Sequence, residues 1–371
     1  MSKPGILFIK HNSTNAKFIL NDADILKEKF TVDVYVSNTK NNFTIIFSLL
    51  GQFFHHLLNI RKYKLIYIWF ADYHSLFPVM FGKIFGVKSI IAIGGYDATC
   101  IPEINMGAFI ENSFKKKVRS YMTKYSLRNA DKILVVDDSL IKNTNTYIYS
   151  GEVNKKPLED GILNFIPDIK NKIEVVYTGF DENYFKRDEN IPKERFILSV
   201  GYTPDDNEFR RKGFDMLIEA AEIMKEEKFV LIGLNEKQIK EFEKKKIANV
   251  KVMNSVSMDE LRKYYNKAKV FAQLSLFEGQ PNSLCEAMMY ECIPVGSNVN
   301  GIPRVIGSTG FIVDKKNVYE IAEKLLQALN SPDELGFSAR KRITENFSLE
   351  RRKESVLRIV SDILAVKQLS S

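Results

Sequence analysis

Short apolar runs recur along the chain, and between them apolar residues return every three or four positions. The runs at 6–9, 32–36, 65–70, 89–93, 133–136 and 174–177 predict strands. The stretches at 18–30, 43–63, 76–85 and 114–129 predict the helices that join them. A polar segment, 183–192, ends in Pro192 and reads as a linker. Beyond it the alternation resumes, with strands predicted at 196–200, 229–232, 250–253, 270–274, 293–295 and 311–313. The intervening helices are expected at 214–225, 259–267, from near Ser283 to near Glu291, and at 318–329. Phe214, Leu217, Ile218 and Ala221 form a helical stripe, and Ser257 with Glu260 reads as a capping box. A last helix is expected at 349–367. Residues 11–15 read as a polar loop, 147–161 as an irregular excursion and 202–210 as a long loop. Strands alternating with helices imply an α/β protein with parallel sheets.

Length and charge narrow this only in part. The 371 residues suggest two domains of ordinary size. Lys and Arg number 54 against 46 Asp and Glu, a net charge of +8. That balance suits a nucleotide diphosphate, an acidic membrane surface or nucleic acid, and suits an ordinary basic soluble protein equally well. Three cysteines without CxxC spacing fit a reduced, cytosolic setting. Four histidines without paired ligand spacing argue against a metal site. The run at 6–9 is too short for a signal peptide, and no window reaches the ~18 apolar residues of a membrane span. The nearest, 43–58, is interrupted by Gln52, His55 and His56. No G-x-G-x-x-G follows a strand and no P-loop motif is present, which argues against dinucleotide dehydrogenases and P-loop enzymes.

Candidate chemistry gathers at predicted strand ends. The sequence SLFEGQPNSLCEAMMYECIPVG at 275–296 follows one strand and enters the next through a short helix. It places Glu278 in the loop and Glu286 on the helix, with seven residues between them, so both can face one crevice at the carboxyl edge of the sheet. Glu286 also fits the last position of a capping box begun by Ser283, and Glu278 also fits a solvated turn. Arg211 and Lys212 precede a helix start, where they read as phosphate ligands or as plain surface charge. In the first half, Gly94, Gly95 and Asp97 end a strand and read either as cleft residues or as a tight turn with Asp97 as a helix cap. His74 lies in the loop one strand earlier and fits a structural or exposed residue at least as well as a site residue. Asp22 and Asp24 match the D-x-D of metal-dependent transferases, and read better as acidic residues in a helix's first turn. Lys115, Lys116, Lys117 and Arg119 make the helix at 114–129 basic and amphipathic, suited to an anionic bilayer or to a solvated face.

The stretches VYTGFDENYF, SVGY, RRKGFDMLIEAA and EGQPNSLCEAM stand in the order found in glycosyltransferase family 4, which the second half of the chain resembles; the first half resembles it far less. The resemblance implies two Rossmann-like domains with parallel sheets facing across a cleft, the GT-B fold. Residues 1–180 would bind the acceptor and 193–348 the nucleotide-sugar donor, with 349–371 packing back on the first domain. The donor site would comprise Gly201, Arg211, Lys212, Val256, Gly279, Gln280, Asn282, Ser283, Leu284 and Glu286, with backbone N–H groups of 280–284 at the helix start facing the diphosphate. Glu286 would hold the ribose and Glu278 the transferred sugar. The catalytic set would be Glu278, Asp97, Arg211 and Lys212. Gly94, Gly95, Asp97 and His74 would face the acceptor, although relatives often carry a histidine where this chain has Gly94 or its neighbour, and the chain lacks the glycine-rich loop many have after strand one. The expectation is a retaining, metal-independent transfer from a nucleotide sugar, with uridine as the favoured base, to a glycan, lipid-linked or small-molecule hydroxyl. It includes no cofactor, no nucleic acid, and a cytoplasmic or membrane-peripheral place. A nucleotide-sugar epimerase of the same fold, and a non-catalytic membrane- or polyanion-binding protein, remain as alternatives.

Overall fold

The computed structural model describes residues 4–12, 16–38, 42–150, 152 and 154–366. Ser13–Asn15 of the expected polar loop and the end of the expected last helix, Lys367, lie outside them. The chain divides into two compact units. Unit 1 comprises 1–142, 160–179 and 349–371, and unit 2 comprises 143–159 and 180–348.

Unit 1 holds strands β1 (Gly5–His11), β2 (Thr31–Ser37), β3 (Leu65–Trp69), β4 (Lys88–Ile93) and β5 (Lys132–Val135). Strands β6 (Asn143–Asn145) and β7 (Leu158–Asp160), which but for Asp160 belong to unit 2, pair with each other, and β8 (Ile173–Val175) completes the first sheet. Its helices are α1 (Lys17–Lys29), α2 (Asn42–Asn59), α3 (Leu76–Phe85), α4 (Phe114–Asn129) and α5 (Ile162–Phe165). The sheet is parallel, in the order β2-β1-β3-β4-β5-β8. Every residue of β3 is buried, as expected of a parallel strand covered on both faces.

Unit 2 holds β9 (Glu194–Thr203), β10 (Lys228–Leu234), β11 (Val250–Met253), β12 (Ala268–Gln273), β13 (Ile293–Ser297) and β14 (Phe311–Val313), in the parallel order β11-β10-β9-β12-β13-β14. Its helices are α6 (Asp206–Arg211), α7 (Phe214–Ile223), α8 (Glu236–Lys245), α9 (Met258–Lys267), α10 (Asn282–Met289), α11 (Ile302–Ile306), α12 (Val318–Asn330) and α13 (Glu334–Asn346). The final helix, α14 (Leu349–Val366), belongs to unit 1 and packs on α1. In each sheet the strand order reverses once, beside β1 in unit 1 and beside β9 in unit 2. The crevice outside the carboxyl ends at such a reversal is where open α/β sheets bind ligands.

Three features depart from the pattern in the sequence. The strand expected to stop at Val200 runs through Gly201 to Thr203, and the expected loop contains α6, capped by the Asp205 carboxylate on Glu208 N at 2.9 Å. Helices α8 and α13 carry only faint apolar stripes: α8 buries Gln238 and Phe242, and α13 buries Gly336, Ala339 and Ile343. The excursion at 143–159 joins unit 2, anchored by Asn145, whose Nδ2 donates to Leu276 O at 2.8 Å, and by the buried ring of Tyr147.

The D-x-D match has a structural explanation different from the expected first-turn placement. Helix α1 begins at Lys17, so Asp22 lies beyond its first turn. Its buried carboxylate accepts from Arg352 Nε and Nη2 at 2.6 and 2.7 Å, from Tyr67 Oη at 2.7 Å and from Trp69 Nε1 at 2.9 Å. Arg352 also donates to the carbonyls of Val176 and Tyr177. A buried charge needs such full pairing, and here it ties α14 to α1 and to β3. Asp24 is exposed and pairs with Lys27 at 2.9 Å.

Candidate functional site

The reversal in unit 2 brings two loops together. One follows β9 and carries Arg211 and Lys212; the other follows β12 and carries Ser275, Glu278 and Gln280. Gly213 makes the approach possible. It sits at φ 71°, where a side chain is strained, and an added Cβ would lie 2.1 Å from Leu274 O. The loops are then stitched by Leu276 N donating to Arg211 O at 2.8 Å.

Both cations converge on one carboxylate oxygen. Lys212 Nζ donates to Glu278 Oε1 at 2.6 Å and Arg211 Nη1 donates to it at 3.1 Å. Ser275 Oγ donates to the same oxygen at 3.0 Å. Arg211 also donates to Phe277 O at 3.0 Å and to Glu208 Oε2 at 2.8 Å, so its fork is held on three sides. Burial would push the Glu278 carboxyl up, but Lys212 and Arg211 more than offset it and hold it at about 2. Burial lowers the Lys212 ammonium, as does Arg211, while Glu278 opposes them. Gly201, within β9, leaves room for the Lys212 stem.

Helix α10 starts at this edge. Its N-cap is Pro281, which places no side chain on the first turn, so the helix end presents backbone N–H groups and the positive end of its dipole. The alternative capping box begun by Ser283 does not form: Ser283 lies one residue inside the helix start, and its hydroxyl donates to Gln273 Oε1 at 3.0 Å. Glu286 therefore has no capping duty. Burial pushes its carboxyl up to about 7, and the Tyr265 hydroxyl donates to it at 3.3 Å. Gln280 is buried against Cys285, and Leu284 is fully buried. Gly279 and Asn282 lie in the same loop and helix start. Val256, half-buried, sits in the loop between β11 and α9.

Sequence reasoning missed the residues that brace this cluster: Gln273, Ser275, Glu208, Tyr265 and Asn145. Gln273 and Ser275 did leave a signal, being polar at the carboxyl end of an otherwise apolar strand.

In unit 1 the expected residues gather at the ends of β3 and β4, but face inward. Asp97 is buried; one oxygen accepts from Gly94 N and Gly95 N at 3.1 Å each, and the other from Ala71 N at 3.0 Å. Burial raises its carboxyl to about 6 in spite of these bonds. His74 is buried, its Nε2 2.9 Å from Trp69 O, and burial lowers its pKa. Arg119, read as suited to an anionic bilayer or to a solvated face, turns inward instead. Its Nε donates to Asp72 Oδ1 at 2.7 Å and its Nη1 to Tyr96 Oη at 2.8 Å, and Nη2 completes the ion pair with Asp72. Lys116 reaches Asn105, while Lys115 and Lys117 point outward. The buried face of α4 is made of Ser120, Thr123, Ser126 and Leu127, and Arg119 is held beside it by Asp72 and Tyr96.

Residues 180–348 match the family model described as glycosyl transferases group 1. An uncharacterised glycosyltransferase of Methanocaldococcus jannaschii is 26% identical over 288 residues, covering 75% of this chain and 69% of that protein. The solved sucrose-phosphate synthase of Thermosynechococcus elongatus superposes with a TM-score of 0.71 at 15% identity, over 98% of this chain and all of that one. HepE of Anabaena, solved with UDP and glucose, superposes with a TM-score of 0.67 at 14% identity, over 96% of this chain and 99% of that one. By that match residues 180–348 belong with the group 1 glycosyl transferases, and the whole chain has the fold of GT-B enzymes, two parallel six-stranded sheets flanked by helices.

Proposed function

We propose that this enzyme is a retaining glycosyltransferase that takes its sugar from a UDP-sugar, without a metal ion, and passes it to a hydroxyl of a glycan, lipid-linked or small-molecule acceptor. The observation that carries the reading is the convergence of Arg211 and Lys212 on Glu278 beside the α10 terminus, at the strand-order reversal of unit 2. The departing diphosphate gains negative charge as the glycosyl bond breaks. Two cations and a helix amino terminus supply the positive potential that stabilises it. Glu278 holds both cations in register before the donor arrives and meets hydroxyls of the transferred sugar. Glu286 accepts from the ribose hydroxyls, and backbone near Val256 meets the base. The acceptor oxygen bonds to the anomeric carbon on the face the diphosphate leaves, and its proton passes to a diphosphate oxygen. Gly94, Gly95 and His74 belong to the acceptor side. There Asp97, with its three backbone donors, acts as a positioning residue. The complex of HepE with UDP and glucose supports the choice of base.

Calorimetry with UDP tests the reading. Wild type binds, and Lys212→Ala binds roughly 10–100-fold more weakly, the loss of one charge-assisted contact. No binding by wild type, or equal binding by the two, overturns it. Incubating the enzyme with a panel of nucleotide sugars then separates transfer from epimerisation. Slow release of free sugar with its anomeric configuration kept supports transfer; an isomerised nucleotide sugar formed without acceptor supports the epimerase.

A further inference from the structure

Helix α2 of unit 1 presents an apolar face to solvent. Phe47, Leu50, Phe54 and Leu58 are 73%, 52%, 58% and 74% exposed, and they recur at helical spacing. The helix contains no Asp, Glu, Lys or Arg. Surface helices of water-soluble proteins turn their polar residues outward, so this arrangement is inverted and continuous rather than a scattered exposed leucine. Its inner face already packs within unit 1: Phe53 lies on Phe77 and Phe81 of α3, and Gln52 Nε2 donates to Ser37 Oγ at 2.8 Å. Among the described residues no helix is long and apolar enough to cross a membrane.

Charge selects the occupant of this face. From Val34 to Tyr96 the only acidic residue is Asp72, and Arg119 neutralises it. Arg61, Lys62 and Lys64 follow α2 directly, all exposed, and Lys83 stands beside Ile84, which is 64% exposed on the neighbouring α3. Arg61 lies over the Phe85 ring at 4.0 Å, which fixes a cation at the edge of the apolar strip. An apolar strip edged by Arg61, Lys62 and Lys64, with one exposed carboxylate beside them, Asp33, which accepts from Tyr63 Oη at 2.9 Å, matches the boundary between acyl chains and anionic headgroups. A second copy of the chain would bring the same cations against themselves.

We propose that the α2 face docks unit 1 on an anionic bilayer surface, with Phe47, Leu50, Phe54 and Leu58 entering the headgroup–acyl boundary and Arg61, Lys62 and Lys64 meeting lipid phosphates. This is independent of the donor reading: it concerns another unit, and it replaces Arg119 and α4 with α2 as the membrane-facing element.

Sedimentation with vesicles tests it. The full chain is mixed with vesicles of pure phosphatidylcholine and with vesicles containing phosphatidylglycerol. The expected result is binding to the anionic vesicles, weakened at least about tenfold in Phe54→Ser/Leu58→Ser. In Lys62→Glu/Lys64→Glu the preference for anionic over neutral vesicles should fall by a similar factor. Circular dichroism spectra and melting curves of both variants show that the chain still folds. Failure of wild type to bind anionic vesicles overturns the proposal, as does equal binding by Phe54→Ser/Leu58→Ser. A concentration-dependent dimer in light scattering that this variant abolishes, without vesicle binding by wild type, also overturns it and makes the face an interface between copies.

Discussion

The two units close their sheets by the same rule, yet the ends of the strands beside each reversal are built in opposite ways. In unit 1 the carboxylate, Asp97, is held by backbone: three N–H groups converge on it and no cation does. In unit 2 the carboxylate, Glu278, is held by side chains: a lysine, an arginine and a serine. Backbone donors cannot leave without refolding the loop, so Asp97 shapes the chain. A lysine or arginine can turn to another anion, and on the proposed reading Glu278 keeps two cations ready for a phosphate. Burial acts on both carboxyls; only the one beside cations overcomes it, with one pKa near 2 and the other near 6.

The largest expected effects follow from that difference in sign. Glu278 titrates lower in the folded chain than its ordinary value of 4.5, so its contribution to stability is complete above 4.5 and is lost as pH falls toward about 2. The stability of wild type relative to Glu278→Gln should therefore fall by about 3 kcal/mol between those limits. Asp97 titrates higher than its ordinary 3.8, so its protonation favours the folded chain. The stability of wild type relative to Asp97→Asn should fall as pH rises from about 4 through 6, again by about 3 kcal/mol. Denaturant titrations across this range measure both. Slopes of the same sign would break the contrast between a backbone-held and a cation-held carboxylate.

Most of the architecture was legible in the sequence, because buried parallel strands write themselves as short apolar runs. Every strand of the second sheet was anticipated within a few residues. The elements that escaped were short or carried few large apolar residues. Helix α8 is mostly charged, α13 buries small residues, and α6 is one short turn started by its cap, Asp205. The candidate site divides similarly. Glu278 and Glu286 share one sequence motif and Arg211 and Lys212 another, and their types suggest their chemistry. The partnerships of Asp22 with Arg352 and of Arg119 with Asp72 join positions far apart in the chain. No local pattern records them, so an interior ion pair passed for a helix-terminal charge and an inward arginine for an outward-facing one. Asn145 was hidden for the same reason, since its importance comes from a carbonyl, Leu276 O, that any residue could supply.

A smaller effect would sharpen the unit 2 side of the comparison. Glu286 has no cation beside it, and burial raises its carboxyl to about 7. Only the ionised form accepts from two ribose hydroxyls, so UDP affinity should rise with pH through about 7, by up to about tenfold between pH 6 and 8. Glu286→Gln should bind more weakly at high pH and lose that rise. A profile in the variant identical to wild type would remove Glu286 from the ribose.

The smallest expected effect uses matched glycines, one from each unit. An added Cβ at Gly201 would lie 3.1 Å from both Cγ and Cδ of Lys212. The lysine stem is flexible and shifts by a few tenths of an ångström, which draws Nζ away from Glu278 without disturbing the core. An added Cβ at Gly94 would lie 2.7 Å from the Phe70 ring, whose backbone is already at φ 68° and cannot give easily. Gly94→Ala should therefore cost about 1–3 kcal/mol of stability, an overpacking effect, and leave UDP affinity unchanged. Gly201→Ala should cost under about 1 kcal/mol and weaken UDP binding roughly three- to fivefold, part of one charge-assisted contact. Melting curves and calorimetry on the two variants give four readings. If Gly201→Ala lost stability and kept its nucleotide, β9 would depend on that glycine for packing alone, and the position of Lys212 would have to be set elsewhere.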